Sequence, residues 1–498
     1  MSKKTSLVTL SMLLIFGWWA PAVEAIELSL GEAVDLSISG YLKNETYIRA
    51  WHGPDDIMSS RNVFNLDLDA SFHGIPIIKR TFIKLRPMYD AVFDLENNGT
   101  GGSGELRKQY QDNFGRNDEW DPLLREAWVD LSLGKLEARL GRQLVSWGKS
   151  DGVWMLDQIN PFNFRNPAVF EEEDTKIPLW MANLQYNVKP NHTLQFLFIP
   201  RYVPAKLPSA PHDWTPNITR WVDEYYSAFD YTFKNYWGIP EGFSVDSQRP
   251  TTNFANSEYG VRWSGLGKGI SYTLNYLYTW SDYLNDYPNT GDWLTATGVE
   301  RRADRLSIFG GAADYRWDSF LGLKEMVTRG EFAYFKNAVW YDRDFNAKEK
   351  DYIGVLFGFD KYYFTDYWFS FQVQSTYILG ADKWSSAYYD LGAYSPVQPD
   401  PTYGALTEYG NGMRNTWETN LTFYLMKEYL PGDTLHTELF LLYDDDGAFW
   451  LRPKAKYDVT DQLHVSLGVN IFWGNENSPF VGESHDNDNV FVEFLWGF

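Results

Sequence analysis

Apolar and polar residues alternate with a period of two in many stretches of this chain, and this rhythm constrains the fold more than any other feature. In residues 64–72 the even positions are apolar and the positions between them are polar or acidic. The apolar set is Phe64, Leu66, Leu68, Ala70 and Phe72, and the polar set is Asn65, Asp67, Asp69 and Ser71. Because successive side chains of a β-strand point to opposite faces, the pattern predicts strands with one apolar and one wet face.

The same alternation recurs along the chain and predicts eighteen strands. Their predicted starts are residues 36, 61, 80, 124, 135, 178, 192, 257, 269, 303, 325, 350, 367, 415, 434, 447, 461 and 489. Aromatic residues make up 18% of the chain, yet the mean hydropathy is −0.40. After residue 25 there is no apolar run of about 18 residues, as a membrane-spanning helix requires. We therefore predict an all-β fold, a single transmembrane up-and-down antiparallel β-barrel of about 18 strands (16–18).

Long and short connections alternate between the predicted strands, as an up-and-down barrel requires. The long connections cover residues 95–123, 146–177, 203–256, 281–302 and 380–414. An even number of strands places both ends of the barrel on the periplasmic side. Only about ten residues separate the predicted mature N-terminus from the first strand, so we expect any plug of the lumen to come from a loop.

The N-terminus has the features of a secretory signal peptide. Lys3 and Lys4 precede an apolar stretch, residues 7–19, that is too short to span a membrane. Val23 and Ala25 then fit a small-residue cleavage site. We predict that residues 1–25 are a signal peptide and that residues 26–498 form one outer-membrane β-barrel domain.

The last nine residues form an alternating segment that ends on an aromatic residue. Val490, Val492, Phe494, Trp496 and Phe498 share one face. This segment resembles the terminal strand of bacterial outer-membrane β-barrels, which the barrel assembly machinery reads. The resemblance implies that Phe494, Trp496 and Phe498 are an assembly signal, that the protein lies in the outer membrane of a Gram-negative bacterium, and that its partners include outer-membrane lipids, lipopolysaccharide and that machinery. A soluble edge strand that ends in Phe is the alternative.

Charge and residue types exclude several classes of function. The net charge of −22 argues against nucleic acid as a partner, because phosphate binding needs clustered Lys and Arg. The chain has no Cys, and its seven His show no metal-ligand spacing. We predict no metal and no cofactor.

Two neighbouring strands, predicted to start at residues 124 and 135, carry the best candidates for a pore lining. By alternation, inward-facing positions hold both charge signs, and the loop that follows adds aromatic and charged residues. The candidate pore-lining residues are Lys84, Arg86, Glu126, Asp130, Arg139, Gln143, Trp147, Lys149 and Asp151. Opposite charges here either pair with one another or bind a passing solute. The loop, residues 146–178, is predicted to fold into the lumen as a constriction, with an external lid as the alternative.

This part of the chain also resembles known proteins. The residues that carry the resemblance are Arg125-Glu-Ala-Trp-Val-Asp130, Leu140-Gly-Arg-Gln143, Trp147-Gly148, Asp157 and Asn160-Pro161. They resemble a family of large proteobacterial outer-membrane proteins known as a domain of unknown function and, more distantly, alginate-export porins. The resemblance implies an outer-membrane channel for apolar or glycan-like molecules, paired with an inner-membrane exporter. The mixture of acidic and basic inward positions argues against transport of a polyanion.

We therefore interpret the chain as a porin-like channel that passes small or elongated solutes and is not an enzyme. Two alternatives stay open. An adhesion or structural barrel would use acidic loop segments such as residues 444–446 and 171–174, for which solvated loop tips are the simpler interpretation. A secreted carbohydrate-active enzyme would use paired carboxylates and aromatic residues, but its aromatic face would be buried under a second layer of protein.

Overall fold

A single antiparallel sheet closes on itself where strand β2 (Val34–Arg49) pairs with strand β23 (Asn489–Gly497). The protein is seen here in a computed structural model that describes residues 25–50, 57–91, 123–150, 152–164, 166, 168–169, 171–206, 244–290, 298–320, 323–341, 347–363, 366–380, 417–475 and 481–498. The predicted signal peptide lies outside these residues except for its last position.

The remaining strands follow in chain order, with two short helices in the described part of the chain. They are β1 (Ile26–Leu30), β3 (Ile57–Phe72), β4 (Ile78–Leu85), β5 (Met88–Asp90), β6 (Leu124–Leu133), β7 (Leu136–Gln143), β8 (Leu179–Lys189), β9 (His192–Ile199), β10 (Ser244–Gln248), β11 (Glu258–Gly267), β12 (Ile270–Trp280), β13 (Asn285–Pro288), β14 (Gly298–Arg302), β15 (Arg305–Phe320), β16 (Leu323–Tyr341), β17 (Ala347–Tyr363), β18 (Tyr367–Ile378), β19 (Trp417–Tyr429), β20 (Leu435–Asp444), β21 (Ala448–Asp458) and β22 (Leu463–Gly474). The helices are α1 (Glu172–Thr175) and a 3₁₀ helix (Gly482–Asn487).

Twenty of these strands belong to the closed sheet, and they make a wall of eighteen strands. Strand β5 continues β4, because both pair with β3. Strand β1 pairs with residues 34–38 of β2, in line with β23, which pairs with residues 41–49. The predicted fold class, an 18-stranded antiparallel β-barrel, is confirmed.

Each of the eighteen predicted strand starts lies within four residues of the observed one. The prediction missed short strands in the connections. Among these, β10, β14 and β13 form a separate three-stranded sheet in connections that were predicted to be long loops. Short strands without clear alternation carry little periodic signal, and this explains the omission.

The alternation of residues separates an apolar outer face from the lumen. On β12, Leu274 points outward and is 62% exposed, whereas its neighbour Asn275 is buried inside. On β17, Phe357 points outward and Leu356 inward. Strands that are apolar outside and hydrogen-bonded into a closed cylinder satisfy their backbone groups in lipid. Among the described helices, none is long and apolar enough to cross a bilayer.

The two ends of the barrel differ in the length of their connections. One end has short turns such as residues 134–135 and 268–269, where Gly134 and Gly269 adopt positive φ angles of 67° and 80°. The start of β2 and the end of β23 also lie at this end. The opposite end has the long connections, among them residues 91–123, 144–178 and 200–257. This asymmetry is typical of outer-membrane barrels, in which the short turns are periplasmic.

We expect Phe357→Arg to destabilise the barrel in lipid, because the substitution puts a charge on the outer face near the middle of β17. The expected loss is about 2–4 kcal/mol in the free energy of unfolding, the cost of Arg near the bilayer centre. Denaturant titration in lipid vesicles measures it, with Phe357→Leu as the matched control. Equal stability of the two variants would show that this face does not contact hydrocarbon.

Candidate functional site

The connection between β7 and β8, residues 144–178, lies against the inner face of the wall; we call it the lumenal segment. Its apolar residues include Trp147, Met155 and Ile159, each at most 2% exposed. They pack with inward-facing apolar residues of β8, β9, β12, β15 and β16. These wall residues are Leu179, Met181, Leu197, Ile199, Leu277, Ile308, Ala312, Ala333 and Phe335. The segment and this side of the wall therefore share one apolar core inside the barrel.

Three wall glycines make room for side chains of the lumenal segment. A Cβ atom on Gly260 would lie 2.9 Å from Cη2 of Trp147. A Cβ on Gly310 would collide with Leu156. One on Gly354 would collide with Met155. Side chains of the lumenal segment therefore fill the space that these three glycines leave; we call the three positions the glycine seats.

Polar contacts hold the same part of the segment. Glu331 on β16 accepts hydrogen bonds from the backbone N–H groups of Lys149 and Leu156. Arg329, also on β16, donates to the carbonyl oxygen of Lys149 at 2.5 Å. The Nζ atom of Lys149 donates to Ser271 at 2.9 Å and pairs with Asp314 on β15. Single-sequence reasoning missed Glu331 and Arg329, because nothing in the sequence links β16 to a loop so far away.

Asn160 fastens the two ends of the segment to each other. Its side-chain oxygen accepts a hydrogen bond from the N–H of Val145 at 2.8 Å, and its Nδ2 donates to the carbonyl of Ile177 at 2.9 Å. Asn160 is fully buried. The Asn160-Pro161 pair, which the sequence singles out, therefore closes the base of the loop.

Helix α1 carries the acidic run of the segment into a cluster of basic residues. Asp174 lies 2.8 Å from Arg61, 2.7 Å from Arg86 and 3.4 Å from Lys43. Burial would raise the pKa of Asp174, but these three cations outweigh it and hold that pKa well below its usual value. Asp174, the last residue of the acidic run, thus lies not in a solvated loop tip but in a buried ion network.

Glu173 extends this network to two predicted pore residues, Lys84 and Arg86, and lies 3.8 Å from Nε of Arg86. It accepts hydrogen bonds from Lys84 at 2.5 Å and from Tyr41 at 3.0 Å. Arg125 donates to the carbonyl oxygens of Glu173 and Lys176. Glu126 lies on β6 in register with Lys84 and is half-buried. The predicted cations Lys84 and Arg86 therefore hold the segment at the end of β4, and Arg125 holds it against β6.

The other predicted residues of β6 and β7 also lie inside, and the structure pairs them. Arg139 donates to both carboxylate oxygens of Asp130, at 2.7 and 2.9 Å, and its guanidinium lies 3.5 Å from the centroid of the Trp128 ring. Gln143 is fully buried and donates to the carbonyls of Arg139 and Met181. Their roles in a pore stay predictions.

The remaining predicted residues lie in three different places. Trp147 is buried, and its Nε1 donates to Gln195 of β9 at 3.0 Å. Asp151 lies outside the described residues. Phe494, Trp496 and Phe498 are half-buried along β23 and its end. An assembly role for these three aromatic residues stays a prediction.

A cavity of about 370 Å³ lies between the lumenal segment and strands β18, β19 and β20. Aromatic rings, hydroxyl groups and one group of charged side chains line it. The lining residues are Ser146, Trp147, Gly148, Ser150, Gly152, Trp154, Asp157, Glu172, Lys176, Trp368, Ser370, Thr422, Tyr424, Met426 and Phe440. The segment therefore leaves space on this side of the barrel.

One group of carboxylates in the described residues has the spacing of a metal site. Oxygen atoms of Glu45, Glu171 and Glu493 lie within 4.8 Å of one another. The Nζ atom of Lys43 lies 3.1 Å from Glu45 and 3.6 Å from Glu493. An ammonium group thus already supplies positive charge to this group of carboxylates.

The comparisons with known proteins place this architecture in a family. Residues 53–498 match the family described as "Protein of unknown function (DUF1302)". The chain belongs to this family. The resemblance that residues 125–161 indicated is therefore confirmed.

The chain is also similar to solved structures at low sequence identity. OccK11 (OpdR) of Pseudomonas aeruginosa has a TM-score of 0.47 and 7% identity, with 93% of this chain and 96% of that chain covered. OccAB2 of Acinetobacter baumannii has a TM-score of 0.47 and 11% identity, with 93% and 98% covered. The outer membrane channel DcaP of Acinetobacter baumannii has a TM-score of 0.41 and 8% identity, with 95% and 99% covered. No curated protein matches the chain.

The architecture of the barrel indicates the membrane in which this DUF1302 protein lies. The eighteen strands form a closed antiparallel cylinder that is apolar outside and holds polar residues and a loop inside. Outer-membrane barrels have this architecture. The predicted localisation, the bacterial outer membrane, is confirmed.

We expect Gly354→Val to displace the lumenal segment while the wall stays folded. The added side chain would occupy the space of Met155, and such overpacking costs about 1–3 kcal/mol. Single-channel recordings should show a larger and noisier conductance than wild type, with heat-modifiable electrophoretic mobility retained. Gly330→Val is the matched control, because a Cβ there meets only a backbone oxygen at 3.6 Å. Wild-type conductance in Gly354→Val would disprove the seating role of this glycine.

We expect Asp174→Asn to release the segment on its other side. The substitution leaves Arg61, Arg86 and Lys43 short of an anion, and breaking a buried pair costs about 3–5 kcal/mol. Conductance should rise and the reversal potential in a salt gradient should shift toward anions. Glu32→Gln is the control, because it also removes one carboxylate but lies exposed in the turn between β1 and β2. A reversal potential equal to wild type would show that these cations do not face the passage.

Proposed function

We propose that this protein is a passive outer-membrane channel whose passage is narrowed by the lumenal segment. The observation that carries the proposal is the position of that segment, which packs against inward-facing residues of the wall. A barrel of eighteen strands encloses more space than its own side chains fill. Whatever enters that space determines the width of the passage and its selectivity.

The path of solutes follows from where the segment is fixed. It is anchored by glycine seats on β11, β15 and β17 and by ion pairs with residues of β2, β3 and β4. The cavity beside β18, β19 and β20 is the space that these anchors leave. Solutes in this proposal pass along that side of the lumen.

The charges inside favour weak ion selectivity. The pairs Lys84 with Glu173, Arg86 with Asp174 and Arg139 with Asp130 each neutralise one cation with one anion. A lumen lined by compensated pairs presents little net field to a passing ion. This supports transport of small solutes without strong preference for either sign, and gives no support to export of a polyanion.

Single-channel recording of the purified protein in planar bilayers tests the proposal. We expect unitary current steps in wild type and larger steps in Gly354→Val. If neither protein gives unitary steps in bilayers into which it demonstrably inserts, the channel is excluded. A non-transporting barrel would then be the better interpretation.

Arg139→Ala provides a test of selectivity. It leaves Asp130 without its bidentate partner near the end of the barrel with short turns, and this free carboxylate should shift the reversal potential toward cations by several millivolts. The double variant Arg139→Ala with Asp130→Asn restores neutrality and should return the reversal potential to near the wild-type value. An unchanged potential in the single variant would remove Arg139 from the passage.

A further inference from the structure

The cavity beside β18, β19 and β20 has aromatic rings on two sides. Trp154 of the lumenal segment lies on one side and is supported by Phe162, with ring centroids 4.8 Å apart. Trp368 and Tyr424 lie on the wall, with ring centroids 5.5 Å apart and planes at 73°. Trp154, Trp368 and Tyr424 are half-buried, so each keeps part of its surface toward the cavity. We call this space the aromatic slot.

The charged side chains at the aromatic slot are already engaged with one another. Lys176 is 2% exposed. Its Nζ atom donates to Ser146 at 2.9 Å, to Glu172 at 2.7 Å and to Asp157. An ammonium group has three N–H donors, and here all three have acceptors. A charged solute would have to replace these partners before it could bind at this point.

The other polar groups of the slot are neutral. Ser150, Ser370 and Thr422 add hydroxyl groups to the lining, and Met426 and Phe440 add apolar surface. The volume, about 370 Å³, lies within the range of small-molecule sites, which are mostly apolar with a few placed polar groups. The lining thus combines ring faces with uncharged hydrogen-bonding groups.

We propose that the aromatic slot binds uncharged solutes that carry a flat apolar ring together with hydroxyl groups. This inference rests on the proposed channel function and names the class of solute that the channel prefers. A flat ring gains from contact with Trp154, Trp368 and Tyr424, because aromatic rings pair favourably in tilted and stacked arrangements. The hydroxyl groups of the solute can form hydrogen bonds with the Ser and Thr side chains of the lining. A flexible acyclic chain would bury similar area without ring contacts.

The test uses three probes that differ in one feature each. Phenyl β-glucoside is uncharged and carries a flat ring, methyl β-glucoside lacks the ring, and phenyl β-glucuronide adds a negative charge. Binding is measured from interruptions of the single-channel current and from tryptophan fluorescence of the folded protein in detergent. We expect phenyl β-glucoside to bind at least 5-fold more tightly than either of the other two.

Matched variants locate the binding. Trp368→Leu and Trp154→Leu should each weaken the binding of phenyl β-glucoside at least 5-fold. Neither substitution should change the binding of methyl β-glucoside. Phe371→Leu, on the outward face of β18, should bind like wild type. Heat-modifiable mobility verifies that each variant is folded, and the comparison of probes on wild type needs no variant at all.

The outcomes distinguish failure of the proposed binding in the aromatic slot from failure of the proposed channel function. If wild type conducts but binds the phenyl and methyl glucosides with equal affinity, the proposed binding in the aromatic slot is wrong and the proposed channel function is unaffected. Equal or tighter binding of phenyl β-glucuronide would overturn the requirement for an uncharged solute. Ring-selective binding that is lost in Trp368→Leu, in a protein that shows no current, would support the slot and exclude the channel.

Discussion

Lipid offers no hydrogen-bonding partner, so every backbone N–H and C=O in the membrane must be paired within the protein. A sheet meets this condition by closing, and closure here depends on the seam between β2 and β23. At its end, the N–H of Gly40 donates to the carbonyl of Phe498 at 2.8 Å, and the N–H of Phe498 donates back at 2.9 Å. A Cβ on Gly40 would lie 2.8 Å from the Phe498 ring. The terminal aromatic residue is thus fitted to the first long strand.

Closure at eighteen strands creates an interior that the wall cannot fill, and the lumenal segment changes the chemistry of that interior. Where the segment packs, inward positions such as Leu277, Ile308 and Phe335 are apolar and almost fully buried. Other inward positions are polar and equally buried, as at Asn65 and Gln372. The barrel therefore has an outer apolar face for lipid and a second, internal apolar core for its own loop. This core explains why strands β9, β12 and β15 are apolar on both faces in part of their length.

The wall was predictable from sequence, because alternation is local and each strand carries its own signal. The contents of the lumen were only partly predictable. Lys84 and Glu173 were both visible as charged residues, but they are 89 positions apart, and no local pattern indicates that they meet. The seats at Gly310 and Gly354 have no signal in a single sequence, because glycine in a strand has several explanations. Tertiary contacts between a loop and a distant wall are the part that periodicity does not encode.

Two kinds of contact hold the lumenal segment, and together they explain which side chains line the cavity beside β18, β19 and β20. On one side of the barrel, the glycine seats and apolar residues hold the segment by close packing. These contacts contribute no charged group that a solute could bind. On the other side, Asp174 and Glu173 take up the charges of Arg61, Arg86, Lys43 and Lys84. Near the slot, Lys176 is likewise occupied by Asp157 and Glu172. Because the basic groups named here hold the loop in place, the gap beside β18, β19 and β20 retains mainly rings and hydroxyl groups. Preference for neutral solutes then follows from the same contacts that narrow the lumen.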